Sequence, residues 1–275
     1  MVWDGRRQAA AGIFGPSCPQ VGDRYRPQGE DCLFLNVWEP KPEAEAGGPR
    51  PVMVYFHGGA YSTGSVADPL NDGARLANRG NVVVVTVNHR LNAFGYLYLG
   101  RLDPRYPDSG NAGQLDLILA LQWIQRNISA FGGDPANITV FGQSGGGAKI
   151  ATLMAMPEAK GLFHKAITMS GQQVTASGPL NATTRAQAFL EKLGEGVDPA
   201  TAPAGQLVAA LGASDPILGG GVYMGPVLDM KHLKRHPFWP DAAPQSLAMP
   251  MMLGNTVMET RAFYAPHGKQ LSGLG

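Results

Sequence analysis

Short runs of β-branched and aliphatic residues alternate along the chain with longer stretches whose apolar positions recur at helical spacing. Residues 33–38, 52–57, 82–88, 138–143, 166–170 and 251–254 are predicted strands. The run at 82–85 is apolar throughout rather than alternating, as a central strand covered on both faces requires. Residues 113–127 are a predicted helix with Leu115, Ile118, Leu119, Trp123 and Ile124 on its apolar face. Helices are also predicted at 145–156, 183–193 and 203–211. Strands alternating with helices predict an α/β fold, a mostly parallel central sheet with helices on both faces. The Pro-, Glu-, Ala- and Gly-rich stretch 40–51 is a surface turn between two strands. Without an internal repeat, residues 1–275 are expected to form a single domain.

Composition narrows the partners. With 44% apolar residues and a net charge of +1, the chain shows no electrostatic footprint for nucleic acid or anionic membrane. No run approaches the roughly 18 apolar residues of a membrane span. The start, Met1 to Arg7, has no apolar core of a secretory signal, which leaves the compartment open. The two cysteines, Cys18 and Cys32, bracket a Pro- and Gly-rich segment. They read either as a disulfide closing a surface loop, contributing ~3 kcal/mol through chain entropy, or as two separate buried thiols.

The strongest chemical signal is Gly142-Gln143-Ser144-Gly145-Gly146-Gly147. A nucleophilic serine on a sharp strand-to-helix turn needs glycines two before and two after it, where a side chain would crowd the turn. The helix that follows aims its free N–H groups at the reaction centre. With 37 glycines in the chain the pattern alone is weak, and a tightly packed Gly-rich turn is its plain alternative. Its context is right: Ile138 to Phe141 precede as a strand and 148–156 follow as a helix. A second segment, Val54-Tyr55-Phe56-His57-Gly58-Gly59-Ala60, ends a strand in small residues. Alone it reads as a tight turn. Paired with Ser144 it reads as an oxyanion hole, with backbone donors from Gly59, Ala60 and Gly145. The glycine run does not fit a phosphate loop, because no Ser or Thr follows Lys149 and the Gly-x-x-x-x-Gly-Lys spacing is missing. His232 and His236 form a His-x₃-His, but a metal site needs further ligands that no nearby cluster supplies, so the pair reads as part of a solvated basic loop. No cofactor or metal is implied.

Together with these motifs, Phe14-Gly15-Pro16-Ser17-Cys18-Pro19-Gln20, Glu30-Asp31-Cys32-Leu33-Phe34-Leu35-Asn36-Val37, Gly110-Asn111-Ala112-Gly113-Gln114-Leu115-Asp116 and Phe131-Gly132-Gly133-Asp134-Pro135 resemble the type-B carboxylesterase family, which includes cholinesterases and bacterial para-nitrobenzyl esterases. The resemblance runs through nearly the whole chain. Asn88-His89-Arg90-Leu91 stands where the family usually has Asn-Tyr-Arg-Leu. The resemblance implies an α/β-hydrolase fold and a serine esterase acting on small-molecule esters through an acyl-enzyme. It carries the catalytic acid onto Glu259, although Met258 stands where an Asp is common, and it matches Cys18 and Cys32 to the family's first disulfide. Such a disulfide would suit a secreted or periplasmic protein. The resemblance also implies a chain truncated at both ends relative to the family, with the catalytic histidine expected beyond residue 275. The alternative is an inactive fragment, or a non-catalytic binding or adhesion member of the same fold.

A serine without a general base is a weak nucleophile at neutral pH. Residues 1–275 alone are therefore expected to hydrolyse a p-nitrophenyl ester far more slowly than a version extended to carry a downstream histidine. Equal rates would make a histidine within these residues the base, with His267→Ala the first substitution to try.

Overall fold

In the computed structural model, residues 13–41 and 48–259 are described. Six strands, β1 (Leu35–Trp38), β2 (Arg50–Phe56), β3 (Val83–Val87), β4 (Gly133–Gln143), β5 (Lys165–Met169) and β6 (Met251–Gly254), form one sheet in the order β1-β3-β2-β4-β5-β6. Successive side chains of a strand point to opposite faces, so the unbroken apolar run of β3 demands cover on both. All five of its residues are buried. β1 pairs antiparallel with β3, and every other pairing is parallel. The sheet is thus mostly parallel, as the alternating pattern predicts.

Among the described residues six α-helices accompany it: α1 (Ala74–Gly80), α2 (Asn92–Tyr96), α3 (Ala112–Asn127), α4 (Gly145–Ala155), α5 (Pro179–Leu193) and α6 (Ala204–Ala210). Leu117, Leu121 and Ile124 of α3 and Ile150 and Leu153 of α4 close over Val52, Val54, Phe56, Val83, Val85, Ile138 and Val140. This is the main core. Fully burying a side chain of this size stabilises the fold by about 1.5–3 kcal/mol, before the entropy of ordering it is subtracted. The opposite face is more open: α1 lies beside β3, while Tyr55 and Phe141 touch rings at 5.0 Å and stay half-buried.

The helices α1 and α2 have no counterpart in the sequence pattern. At 7 and 5 residues they are too short to display a period, and α1 buries only Ala77. α5 starts four positions before its apolar period, at Pro179, since proline suits the first helical turn where its missing N–H costs nothing. β4 starts at Gly133 rather than 138. Gly133 pairs with Arg50 and Ile138 with Val52, so the intervening Asp134-Pro135-Ala136-Asn137 bulges, with Asp134 Oδ1 accepting from the Ala136 N–H at 2.8 Å. The predicted turn at 40–51 is shorter than expected on its far side, because β2 begins at Arg50; its residues 42–47 lie outside the described ones.

Buried polar pairs tie distant segments to the sheet. Arg90 grips Asp116 on α3 through Nε (2.8 Å) and Nη2 (2.6 Å), and its backbone N–H adds a third bond at 2.9 Å. Asn111, fully buried, donates to the Val227 carbonyl at 2.8 Å and accepts from the Val227 N–H at 3.1 Å. Cys18 and Cys32 form the disulfide and bury against Leu91. Among the described residues no helix is long and apolar enough to cross a membrane.

Between β5 and β6 the chain makes one long excursion that contains α5 and α6. Phe189, Leu193 and Leu207 of this lobe form a second core with Tyr61, Tyr96 and Leu97. Inside the lobe Asp215 accepts from Arg185 Nε at 2.7 Å and from the N–H groups of Ile217, Leu218 and Tyr223 at 2.8, 3.0 and 3.1 Å. Burial by itself would raise the Asp215 pKa. The bonds to Leu218, Ile217, Tyr223 and Arg185 outweigh it and hold the pKa down to about 2. Removing one member of a buried, hydrogen-bonded pair strands the other, at a cost of about 3–5 kcal/mol. Asp215→Asn is therefore expected to lower the unfolding free energy from urea titration by that amount at neutral pH, with an unchanged m-value and a midpoint lower by the loss divided by m. Because the folded pKa lies below the unfolded one, Asp215 stabilises fully above pH ~4 and loses this contribution as pH falls towards 2. The gap between parent and variant should narrow by about 2 kcal/mol over that window. A gap independent of pH would show that packing, not charge, carries the effect.

Candidate active site

The β2–β4 register sets Phe56 opposite Gly142, so both strands reach the carboxyl edge of the sheet at the same level. There β2 runs into the turn 57–60 and β4 into Ser144. Ser144 holds φ 53° and ψ −123°, a conformation L-residues rarely adopt and one that stores strain. Its N–H donates to the Met169 carbonyl at 2.8 Å, and its carbonyl accepts from the Ala148 N–H at 3.1 Å as α4 begins. The two flanking glycines are required by close approach: a Cβ on Gly146 would stand 2.0 Å from the Phe56 carbonyl oxygen, and one on Gly142 would stand 2.6 Å from the Gly146 carbonyl carbon. No other residue fits either position with the turn unchanged.

Ser144, Gly145, Ala60 and Glu259 line one cleft of about 400 Å³, together with Tyr61, Ala148, Ser170, Gln173 and Tyr223. Gly59 stands in the adjoining turn, with φ 89°, followed by Ala60 with φ 55°. Each peptide of the turn is tethered by its carbonyl. Gly58 O accepts from His57 Nδ1 at 2.8 Å, and Gly59 O accepts from the N–H groups of Ser62 (3.1 Å) and Thr63 (3.0 Å). In a planar trans peptide the N–H points away from the carbonyl, so these bonds fix where the N–H groups of Gly59 and Ala60 are directed.

Glu259 follows β6. Its Oε2 accepts from the Thr256 hydroxyl and from the Thr256 N–H at 3.1 Å. The Thr256 hydroxyl first, then Ser170, pulls its pKa below the usual glutamate value, so the carboxylate is charged at neutral pH. Ser170 is anchored through its own N–H on the Gly254 carbonyl at 2.7 Å, which joins the ends of β5 and β6 beside the cleft. The cleft walls are aromatic and amide: Tyr61 donates to Gln173 Oε1 at 2.5 Å, and the Arg185 guanidinium lies 5.3 Å from the centre of the Tyr223 ring.

Beneath the turn sits a group that pattern reading passes over. Lys149, fully buried on α4, donates through Nζ to His57 O (3.0 Å) and Ala60 O (2.9 Å), and lies 5.5 Å from the Tyr61 ring centre. Burial lowers its pKa to about 7. The His57 and His89 rings stack at 4.6 Å nearby. Burial, and then the charge of Lys149, drives His57 down to about 3, so it is neutral. The signal for Lys149 was present: it is the lone charge in the otherwise apolar helix Gly145–Ala155. Gln173 and Tyr223 carry no local signature, because only the tertiary packing of the segment between β5 and β6 brings them to the cleft, while Tyr61 reaches it as the residue after Ala60.

The remaining histidines are engaged elsewhere. His164 Nδ1 accepts from the Ile138 N–H, and His236 Nδ1 from the Ala176 N–H. The loop that carries His232 and His236 is basic, yet His232 is not solvated. Its ring bridges Glu158 (2.8 Å) and Asp108 (2.9 Å). Burial alone would lower its pKa, but the two carboxylates outweigh that and raise it. His267 lies outside the described residues. Among the described residues no His, Cys, Asp and Glu cluster of three or more is arranged to hold a metal.

A model of the carboxylesterase family matches residues 2–273. A para-nitrobenzyl esterase of Bacillus subtilis is 41% identical over 96% of this chain and 55% of its own length. A fumonisin B1 esterase of Sphingopyxis macrogoltabida is 35% identical over 95% of this chain and 49% of its own. In structure the chain is similar to a PNB esterase, with a TM-score of 0.82 at 41% identity over 94% of this chain and 55% of that one. It is also similar to an esterase from the anaerobe Clostridium hathewayi, with a TM-score of 0.77 at 36% identity over 95% of this chain and 60% of that one. The chain spans about half the length of the curated relatives it matches. The α/β-hydrolase sheet, the strained serine turn and these likenesses agree: the chain belongs to the carboxylesterase family.

Proposed function

We propose that this chain carries the nucleophilic part of a serine carboxylic-ester hydrolase that acts on small esters through an acyl-enzyme. The observation that supports this most is the convergence of Ser144, the backbone of Ala60 and Gly145, and the Glu259 carboxylate on one cleft. Ser144 Oγ adds to the ester carbonyl while its proton passes to a histidine outside the described residues. Ionised Glu259 orients that histidine and stabilises its charged form. The N–H groups of Gly59, Ala60 and Gly145 receive the oxyanion, each worth about 2.7–4 kcal/mol of transition-state stabilisation. Collapse expels the alcohol and leaves the acyl group on Ser144. Water then adds to the acyl carbonyl and releases the carboxylic acid. The relatives, named for esters as different as para-nitrobenzyl esters and fumonisin B1, support ester hydrolysis as the shared chemistry. The Cys18–Cys32 disulfide supports an oxidising setting, secreted or periplasmic.

A fluorophosphonate probe is expected to label the full-length enzyme at Ser144 and to leave Ser144→Ala unlabelled, as peptide mapping would show. Modification of a different serine would remove the assignment.

Glu259→Gln is expected to keep the fold and to lower kcat on the order of 10³–10⁴-fold, as loss of the orienting carboxylate does in Ser-His-Asp proteases. Turnover within about threefold of the parent would hand the role to another carboxylate.

A further inference from the structure

A lysine with no exposed surface is costly, because the ammonium loses its hydration. Such residues persist where they are paired or where they serve function. Lys149 is not held by a carboxylate in this structure. Its hydrogen-bond partners are two backbone carbonyls, His57 O and Ala60 O. These are the first and last carbonyls of the turn whose inner peptides present the N–H groups of Gly59 and Ala60. The two carbonyls between them are tied by His57 Nδ1 and by the N–H groups of Ser62 and Thr63. All four peptide planes are therefore fixed, the outer two by one amine. Lys149 stands on α4 one turn beyond Ser144, so the same helix that starts at the nucleophile also holds the turn facing it.

Resting on the esterase reading above, we propose that Lys149 is a positioning residue: by clamping the carbonyls of His57 and Ala60 from below, it holds the oxyanion donors of Gly59 and Ala60 in register with Ser144. Several further observations fit this role. Even as a neutral amine, Lys149 keeps two N–H bonds for its two carbonyls, so the clamp survives on both sides of its pKa near 7. His57 donates from Nδ1 to Gly58 O, which leaves its Nε2 as an acceptor, buried with no hydrogen-bond partner among the described residues. That imidazole stacks face to face on the buried ring of His89, 4.6 Å between centres. Asp68 is the carboxylate whose field reaches His57, and its own charge is taken up by Arg24 and Tyr25, so it does not release Lys149.

A clamp on the donors makes its contribution in the tetrahedral state, where the oxyanion exists, and little in substrate binding. Lys149→Met keeps the stem and removes the donors. Lys149→Gln keeps two N–H donors on a stem one bond shorter. The probe is an alkyl trifluoromethyl ketone, to whose carbonyl Ser144 Oγ adds to give a tetrahedral hemiketal oxyanion, observed by fluorine NMR. Lys149→Met is expected to lower kcat about 10–100-fold, the scale of a misplacement of about 1 Å, with KM within about twofold. Its affinity for the ketone should fall by the same factor as kcat/KM. Lys149→Gln should lie between Met and the parent, and it carries the test should Met fail to fold by circular dichroism. An unchanged ketone affinity in either folded variant, or a loss confined to KM or to melting temperature, overturns the role of Lys149. All three proteins are prepared in the version extended to carry the downstream histidine, and absence of a Ser144 adduct in that parent overturns the esterase reading and this proposal with it. An adduct in the parent that survives undiminished in the variants overturns the clamp alone.

Discussion

The parallel pairing of β2 with β4 is the constraint on which the site depends. Phe56 and Gly142 stand opposite one another in that pairing, so the chain leaves two adjacent strands at one height and turns twice within a few ångströms. The Phe56 carbonyl then occupies the space that a side chain on residue 146 would need. A slip of two residues in this register would keep every apolar residue on its own face and preserve the core. It would also move the turn 57–60 along the strand by about 6–7 Å relative to Ser144. Hydrophobic burial therefore cannot specify the site's alignment by itself. The glycines, which admit one close approach and no other, add the specification that the core lacks.

The polar groups inside the molecule serve the same end. Arg90 on Asp116 fixes the segment after β3 to α3, and Asn111 fixes the start of α3 to the lobe. Asn92 donates to Pro19 O at 2.9 Å, and its N–H reaches the Tyr61 carbonyl at 2.6 Å, linking the disulfide region to the residue just past the turn 57–60. Each such bond contributes only about 0.5–1.5 kcal/mol net, but an unmet partner costs more, so the set discriminates against near-native arrangements more than it adds stability. Much of the motif similarity to the family falls on these structural polar residues and not on the cleft.

The positions of the strands along the chain, the mostly parallel sheet and the serine turn were legible because they follow from local pattern: an all-apolar run, an amphipathic period, glycines at fixed offsets. The proposed site residues Ser144, Gly145, Ala60 and Glu259 do meet at one cleft, with Gly59 beside it. What stayed hidden has physical causes. α1 and α2 are shorter than the window in which a helical period shows. The bulge in β4 reads as a turn because Asp134-Pro135 has turn chemistry whether or not the ladder resumes after it. Lys149 was read only for what it failed to be, a phosphate-loop lysine, since a sequence states charge but not burial. The enclosure of His232 is hidden for the same reason: Asp108 and Glu158, its partners, lie more than seventy positions away.

The lobe between β5 and β6 leaves the sheet at one strand end and returns at the next. The ladder between the two strands is closed at the return end by the Ala166 N–H on the Pro250 carbonyl at 3.0 Å and at the cleft end by the Ser170 N–H on the Gly254 carbonyl at 2.7 Å. Tyr223, which faces the cleft, belongs to the lobe, while Ser144 and the turn 57–60 belong to the sheet. The lobe also packs Phe189, Leu193 and Leu207 on Tyr61, so a change within it reaches the cleft wall, while the β2–β4 pairing that holds Ser144 lies outside it. Variation in the lobe can thus reshape what the cleft admits and leave the strand frame beneath it as it was.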